Sequence, residues 1–205
     1  MLKSWIKSVY KVLCPVRIKG HNNLYCCNSK IGRDFYVSVF GNNNEIRIGS
    51  DCLLTNTNIY VTGNNSKIII EDRVRFMGPC QIIVGEGSTL IIRWNAGIRG
   101  VEFNLNGALI EVGELCMFSN GIILRNHDSH KVINPCDGKV LNPSKDIVLG
   151  KHVWIAQNAT ILKGCHIGDD SVIGFGAVVT KGCSNGSIMT GCPARVVKEN
   201  INWDY

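Results

Sequence analysis

A polar run, Arg125-Asn126-His127-Asp128-Ser129-His130, interrupts an otherwise aliphatic pattern between Leu124 and Ile147. It brings two imidazoles and a carboxylate together, the residue types from which proton-transfer sites are made. A hydroxyl is a poor nucleophile, and an imidazole, ordinarily titrating near about pH 6.5, is suited to take its proton as it attacks a carbonyl. Asp128 could fix the ring tautomer and stabilise the protonated form, although neighbours in sequence need not face each other. Asn126 or main-chain amides could stabilise an oxyanion. Two other readings stay open: solvated loop histidines without chemistry, or zinc ligands contributed with His152 across a subunit interface. His152 alone, at a coil corner beside Trp154, reads as structural, and His21 and His166 carry no functional signal.

The polar segment continues through Asn134-Pro135-Cys136-Asp137-Gly138 to Asn142-Pro143, and a rigid scaffold must hold it. That scaffold is a repeat. Leu149, Ile155, Ile161, Ile167, Ile173 and Val179 recur every six residues, and Val153, Ala159, Cys165, Ser171, Ala177 and Cys183 supply smaller side chains in a second register. Period six fits neither a helix nor one long alternating strand. It fits a three-sided coil of short strands and corners, a parallel β-helix. Upstream, Ile48, Ile70, Ile92 and Val112 open looser units spaced 22, 22 and 20 residues apart, where a plain coil uses 18. Their partners six residues on are Leu54, Phe76, Ile98 and Phe118. Ile31-Gly32 with Val37 suggests a ragged first coil. From Val112 to Leu149 is 37 residues, nearly two plain coils, so periodicity alone conceals the polar insertion.

Composition agrees with many tight corners: 22 Gly and 5 Pro in 205 residues, with 45% hydrophobic and 19% charged residues, which argues against disorder. The formal charge of +6 is scattered, without zinc-finger spacing or an aromatic-basic motif, which argues against a nucleic-acid partner. Among 10 cysteines, Cys52, Cys80, Cys116, Cys165 and Cys183 fall in the small-side-chain register, where a thiol acts as a compact hydrophobe. Cys26-Cys27 lack metal-site spacing. Trp5, Ile6, Val9, Tyr10 and Leu13 stand at helical spacing with a Lys3, Lys7, Lys11 stripe, predicting a short N-terminal helix that caps the open coil or lies on an anionic membrane. Those lysines also break any signal-peptide pattern, and no segment reaches transmembrane length, so the expected place is the cytoplasm, including the inner membrane face. The expected division is an amphipathic segment over residues 1–20, the β-helix over 21–190 with a loop at about 125–146, and a tail over 191–205.

The stretch Ile147-Val148-Leu149-Gly150-Lys151-His152-Val153-Trp154-Ile155, with Ala159-Thr160-Ile161-Leu162-Lys163-Gly164, Ile167-Gly168-Asp169, Val172-Ile173-Gly174-Phe175-Gly176-Ala177-Val178-Val179-Thr180-Lys181 and Gly191-Cys192-Pro193-Ala194-Arg195, resembles the hexapeptide-repeat acyltransferase superfamily. In character it is similar to bacterial polysaccharide O-acetyltransferases and to the maltose, galactoside and serine acetyltransferases. The resemblance is strong over Val112–Lys198, looser back to about Ile46, and weak before that. It implies an all-β, left-handed parallel β-helix, homotrimers with sites between subunits, acetyl-CoA as acyl donor without a metal, and a glycan acceptor. It implies a histidine base in the loop, either His130 or His127, with Asp128 beside it. Along the C-terminal coils it implies CoA contacts from Trp154, Ala156, Ala177, Lys181, Arg195 and Lys198, the cations being suited to phosphates. Ala156 stands where glycine is frequent, and Cys192-Pro193-Ala194-Arg195 replaces the commoner Asn-Pro-Ala-Lys. Asn126, Trp94, Asn95 and Arg99 are candidates for the acceptor. N-acetylation of an amino sugar and a catalytically silent scaffold are the remaining alternatives.

Overall fold

The computed structural model describes residues 15–204. Aliphatic side chains that recur every six residues share the inside of a coil that bends after each short strand, and eight such coils stack. Val16–Lys19 (β1) and Leu24–Cys27 (β2) begin the first, which Ile31 closes by bridging to Leu54. The next four coils are Phe35–Phe40 (β3), Glu45–Ile48 (β4) and Leu53–Leu54 (β5); Thr57–Thr62 (β6), Lys67–Ile70 (β7) and Arg75–Phe76 (β8); Cys80–Val84 (β9), Thr89–Ile92 (β10) and Gly97–Ile98 (β11); and Val101–Leu105 (β12), Leu109–Val112 (β13) and Met117–Phe118 (β14). Ile122–Arg125 (β15), Ile147–Leu149 (β16) and Trp154–Ile155 (β17) follow, then Thr160–Leu162 (β18), His166–Ile167 (β19) and Val172–Ile173 (β20). Val178–Val179 (β21) and Ile188–Gly191 (β22) finish the stack, and Ala194–Lys198 (β23) folds back antiparallel on β22.

Each side of the resulting left-handed prism is one sheet, parallel throughout except where β23 joins the third. On the second side Ile48, Ile70, Ile92, Val112, Leu149 and Ile167 lie in one register column. On the third side Leu54, Phe76, Ile98, Phe118, Ile155 and Ile173 do the same. All of these side chains are buried, together with Cys52, Cys80, Cys116 and Cys165, while Cys183 is half-buried. Burial pushes the thiols of Cys80, Cys116 and Cys165 up, to about 11, 12 and 11. Val112 stacks directly on Leu149, so the 37 residues between them are one coil carrying an insertion and not two plain coils.

The corners stack as strictly as the strands. At the corner between second and third sides, Asp51, Arg73, Asn95, Leu115, His152 and Asp170 all adopt φ between 55° and 63°, a left-handed bend that asparagine and aspartate tolerate and larger side chains resist. At the corner between first and second sides, side-chain amides form a ladder. Asn44 accepts from the Ser66 N–H and donates through Nδ2 to Asn23 Oδ1 and to the Gly63 carbonyl.

The expected short N-terminal helix is corrected for the described residues, where every regular element is a strand. Val16 and Ile18 alternate with Arg17 and Lys19, period two and not 3.6, and this run pairs in parallel with Val37–Phe40 as the first strand of the stack. The helically spaced residues Trp5 to Leu13 lie outside the described residues.

The insertion, residues 126–146, leaves the same corner as the amide ladder and is fastened to the stack. Its tip is a small hairpin with an Ile133–Val140 bridge. Below it, Asn142 Oδ1 accepts from the Val132 N–H, and Asn142 Nδ2 donates to Asp128 and to the His130 carbonyl. Lys163, from the following coil, pairs with Asp128 and donates to the Asn142 carbonyl at 3.0 Å. The Lys163 and Asn142 hydrogen bonds hold the Asp128 carboxyl below the usual carboxylate range.

Two predictions follow from this frame. Asn44→Ala strands the Ser66 N–H and the Gly63 carbonyl in a buried corner, and urea titration should show a loss of about 2–4 kcal/mol; a change under about 0.5 kcal/mol contradicts the ladder's role. Because the folded Asp128 pKa is depressed, its contribution to loop order is present above the ordinary carboxylate range and lost as pH falls below it. Hydrogen exchange of loop amides should therefore keep protection to lower pH in the native chain than in Lys163→Met; identical pH profiles exclude the clasp.

Candidate active site

The two loop histidines occupy different settings. His127 is half-buried where the loop leaves β15, and its Nε2 lies 2.8 Å from Oδ1 of Asn104 on the preceding coil. Its Nδ1 lies 3.1 Å from the Asp128 carbonyl oxygen. Asn104 is itself held through Nδ2 by Glu102, and Arg125 Nε donates to the His127 carbonyl. Both ring nitrogens thus face acceptors, and a neutral ring can donate to only one of them. Three residues on, His130 is exposed, and its imidazole has no hydrogen bond to another described residue, although its carbonyl is anchored by Asn142.

Asp128 faces neither ring. Its carboxylate is turned to Lys163 and Asn142, and only its main chain touches His127. Asn126 is wholly buried: Oδ1 accepts from the Asn106 N–H, its main chain bonds Asn104 and Lys145, and Nδ2 has no partner among the described residues. It shapes the base of the loop from inside the corner. Asn104, Asn142 and Lys163 are the residues that sequence reasoning missed. Asn104 pairs in register with Arg125, a neighbour visible only once coil lengths are known, and Lys163 lies 35 residues from Asp128.

The other sequence candidates are distributed around the prism. Trp94 and Asn95 stand at the corner between second and third sides and Arg99 at the corner between third and first, both different from the corner that carries the loop. Trp154 projects outward from β17, with 41% of its surface exposed. Trp203 of the returning tail packs beside it at 6.0 Å, stacks on His152 at 4.0 Å, and donates Nε1–H to the His152 carbonyl. His152 Nδ1 also lies 2.9 Å from Asp170, so this ring is built into the stack. Among the described residues no three His, Cys, Asp or Glu side chains gather as metal ligands.

A thioester donor with a long pantetheine arm and a nucleotide diphosphate needs an apolar track and cations. Ala156 and Gly174-Phe175-Gly176 form stacked, small-residue corners on adjacent coils, with the Phe175 ring 70% exposed. Ala177 points into the core, so its position offers a ligand only main chain. Lys181, Arg195 and Lys198 are exposed and carry no ion pair among the described residues. These residues fit such a donor chemically.

Residues 146–181 match the family model for the bacterial transferase hexapeptide (six repeats). Over 184 residues the chain is 32% identical to a polysialic acid O-acetyltransferase of Neisseria meningitidis, covering 89% of this chain and 86% of that protein. A polysialic acid O-acetyltransferase of Escherichia coli O1:K1 / APEC is 31% identical over 123 residues, which is 60% of this chain and 40% of the relative. The structure of the polysialic acid O-acetyltransferase OatWY superposes with a TM-score of 0.87 at 32% identity, covering 93% of this chain and 91% of the other. That of the polySia-specific acetyltransferase NeuO gives 0.83 at 30% identity, covering 93% and 88%. With its repeat, its prism and a full-length relative of this similarity, the chain belongs to the hexapeptide-repeat acyltransferase superfamily and is an acyltransferase.

Proposed function

We propose that this acyltransferase moves the acetyl group of acetyl-CoA to a hydroxyl of a surface polysaccharide or its precursor, with His130 as general base. The observation that carries the assignment is the contrast between the loop imidazoles. A base needs a lone pair free to meet an incoming hydroxyl, and His127 has both nitrogens turned to oxygens of its own chain, whereas the His130 ring is exposed and has no hydrogen bond among the described residues. His127 then acts as a positioning residue, locking the loop's first turn to Asn104, and Asn142 fixes the His130 main chain.

In this reading His130 takes the hydroxyl proton as the oxygen attacks the thioester carbonyl. The protonated ring then returns that proton to the departing sulfur, and acetyl passes directly to the acceptor without an acyl-enzyme. Acetyl-CoA supplies the activated acyl group. Trp154, Ala156 and the Phe175 corner offer the apolar wall, and Lys181, Arg195 and Lys198 the charge for phosphates. The acceptor class is supported by the substrates named for the similar enzymes. Assembly of three copies, with each site completed by a neighbour, is supported by the loop hairpin: Val132, Ile133 and Leu141 are 54%, 53% and 57% exposed on one chain. Buried, unpaired thiols suit a cytoplasmic place of work, at the membrane face where glycan precursors are assembled.

Acceptor-dependent release of free CoA thiol tests the proposal across polysaccharides, amino sugars and nucleotide sugars. His130→Ala should lower kcat by about 100-fold or more, while His127→Ala loses less and raises the acceptor KM. Unchanged rates in both single variants and in the double variant would remove the loop from the chemistry, and a larger kcat loss in His127→Ala would transfer the role of base to that ring.

A further inference from the structure

We propose that Arg73, Arg75 and Asn95, with Trp94 as a wall, form a distal subsite for the carboxylates of an acidic polysaccharide acceptor. These residues line or border a depression of about 480 Å³ between the second and third sides of the early coils, shared with Asp51, Cys52 and Leu53. Two arginines of the second side are paired: Arg93 bridges Glu71 and Glu111, and Arg47 pairs with Glu45. Arg73 and Arg75 are exposed and have no ion pair among the described residues. Among the described residues the Arg73 guanidinium lies over the Trp94 ring, 5.5 Å from its centroid. A guanidinium laid on an indole keeps its donor edge free for a carboxylate.

Arg73 also stands at φ 63° in a corner column otherwise filled mainly by Asp, Asn and His. The bend costs a side chain of this kind on the order of 1 kcal/mol. What the bend does supply is direction, setting Arg73 beside Asn95 of the next coil. Two guanidinia against the single carboxylate of Asp51 leave the lining of the depression net positive.

The register of the third side runs from the subsite to Trp154, which the proposed function places in the donor wall. Arg75 pairs with Gly97, Gly97 with Met117, and Met117 with Trp154. These are successive outward positions, so three coil rises of about 4.8 Å put Arg75 roughly 14 Å from Trp154. Between them the thioethers of Met117 and Met77 lie over Gly97, close enough that a Cβ there would come within 2.7 Å of Met117 Sδ. The proposal rests on the acetyl-transfer reading for what is done to the bound glycan, but binding itself does not depend on it.

Equilibrium binding of fluorescently labelled polysialic acid, a homopolymer with a carboxylate on every sugar, and of neutral dextran tests the subsite without acetyl-CoA. The full-length chain should bind the acidic polymer, more weakly as salt rises, and not the neutral one. Arg73→Ala/Arg75→Ala should weaken binding about tenfold or more, the loss expected for charge-assisted hydrogen bonds, while Arg47→Ala/Lys67→Ala, equal in charge and on another side, should change it little. Equal weakening by both pairs, no weakening by the first, or equal affinity for dextran each overturns the subsite. In turnover, the arginine pair should raise the KM for polymer and leave kcat and the acetyl-CoA KM alone. Absence of transfer to any glycan, with polymer binding intact and sensitive to the arginines, would sink the acetyl-transfer reading and spare the subsite.

Discussion

Every feature of this protein depends on in-register parallel stacking of the coils. A strand in such a stack is hydrogen-bonded on both edges and buried on its inner face, so an aliphatic residue in one coil must lie over an aliphatic residue in the next. A slip of one residue would turn the Ile48 to Ile167 column outward and bring charged neighbours inside. Strict register also means that extra residues have nowhere to go but the corners, where they leave the prism without disturbing it. The loop of residues 126–146 is the largest such excursion, and its position at one corner of one coil is what makes a flexible-looking polar sequence a defined place.

That place is defined by side chains as well as by the stack. The corner that releases the loop is lined with amides, and the same kind of group receives it: Asn104 faces the His127 ring, the buried Asn126 caps the Asn106 N–H, and Asn142 ties the far end of the loop to its beginning. Lys163 adds one ion pair from the next coil. Histidine, asparagine and lysine serve positioning, and the His130 imidazole has no hydrogen bond among the described residues. Rigid support beneath one uncommitted ring is the geometry that general-base transfer requires.

The repeat was legible because each coil must obey the same steric rule. Leu149 to Val179 reads directly as stacked coils, and the looser series Ile48, Ile70, Ile92 and Val112 keeps its register despite unequal spacing, since only the corners vary. The cysteines that share the small-residue register were legible for the same reason, and four of those five are buried. The beginning was less so: Val16–Lys19 is too short to distinguish a strand from the edge of a helical pattern, and its partner Val37–Phe40 lies 21 residues on. Contacts set by register across coils, Asn104 on His127 or Lys163 on Asp128, leave no local trace. Nor did the sequence announce Trp203, whose stacking on His152 requires the tail to turn back over the last coils. Arg73 and Arg75 carry no motif in the sequence, and their lack of an ion pair among the described residues shows only in the fold.

The central claim is that a rigid solenoid presents a loop imidazole to a glycan hydroxyl for direct acetyl transfer. Mass spectrometry of a polysaccharide incubated with the protein and isotopically labelled acetyl-CoA tests it most directly. The account predicts labelled acetyl ester on the glycan in proportion to the CoA released, and almost none with His130→Ala. Glycan that stays unlabelled while acetyl-CoA is consumed, or labelling undiminished in the variant, would contradict it.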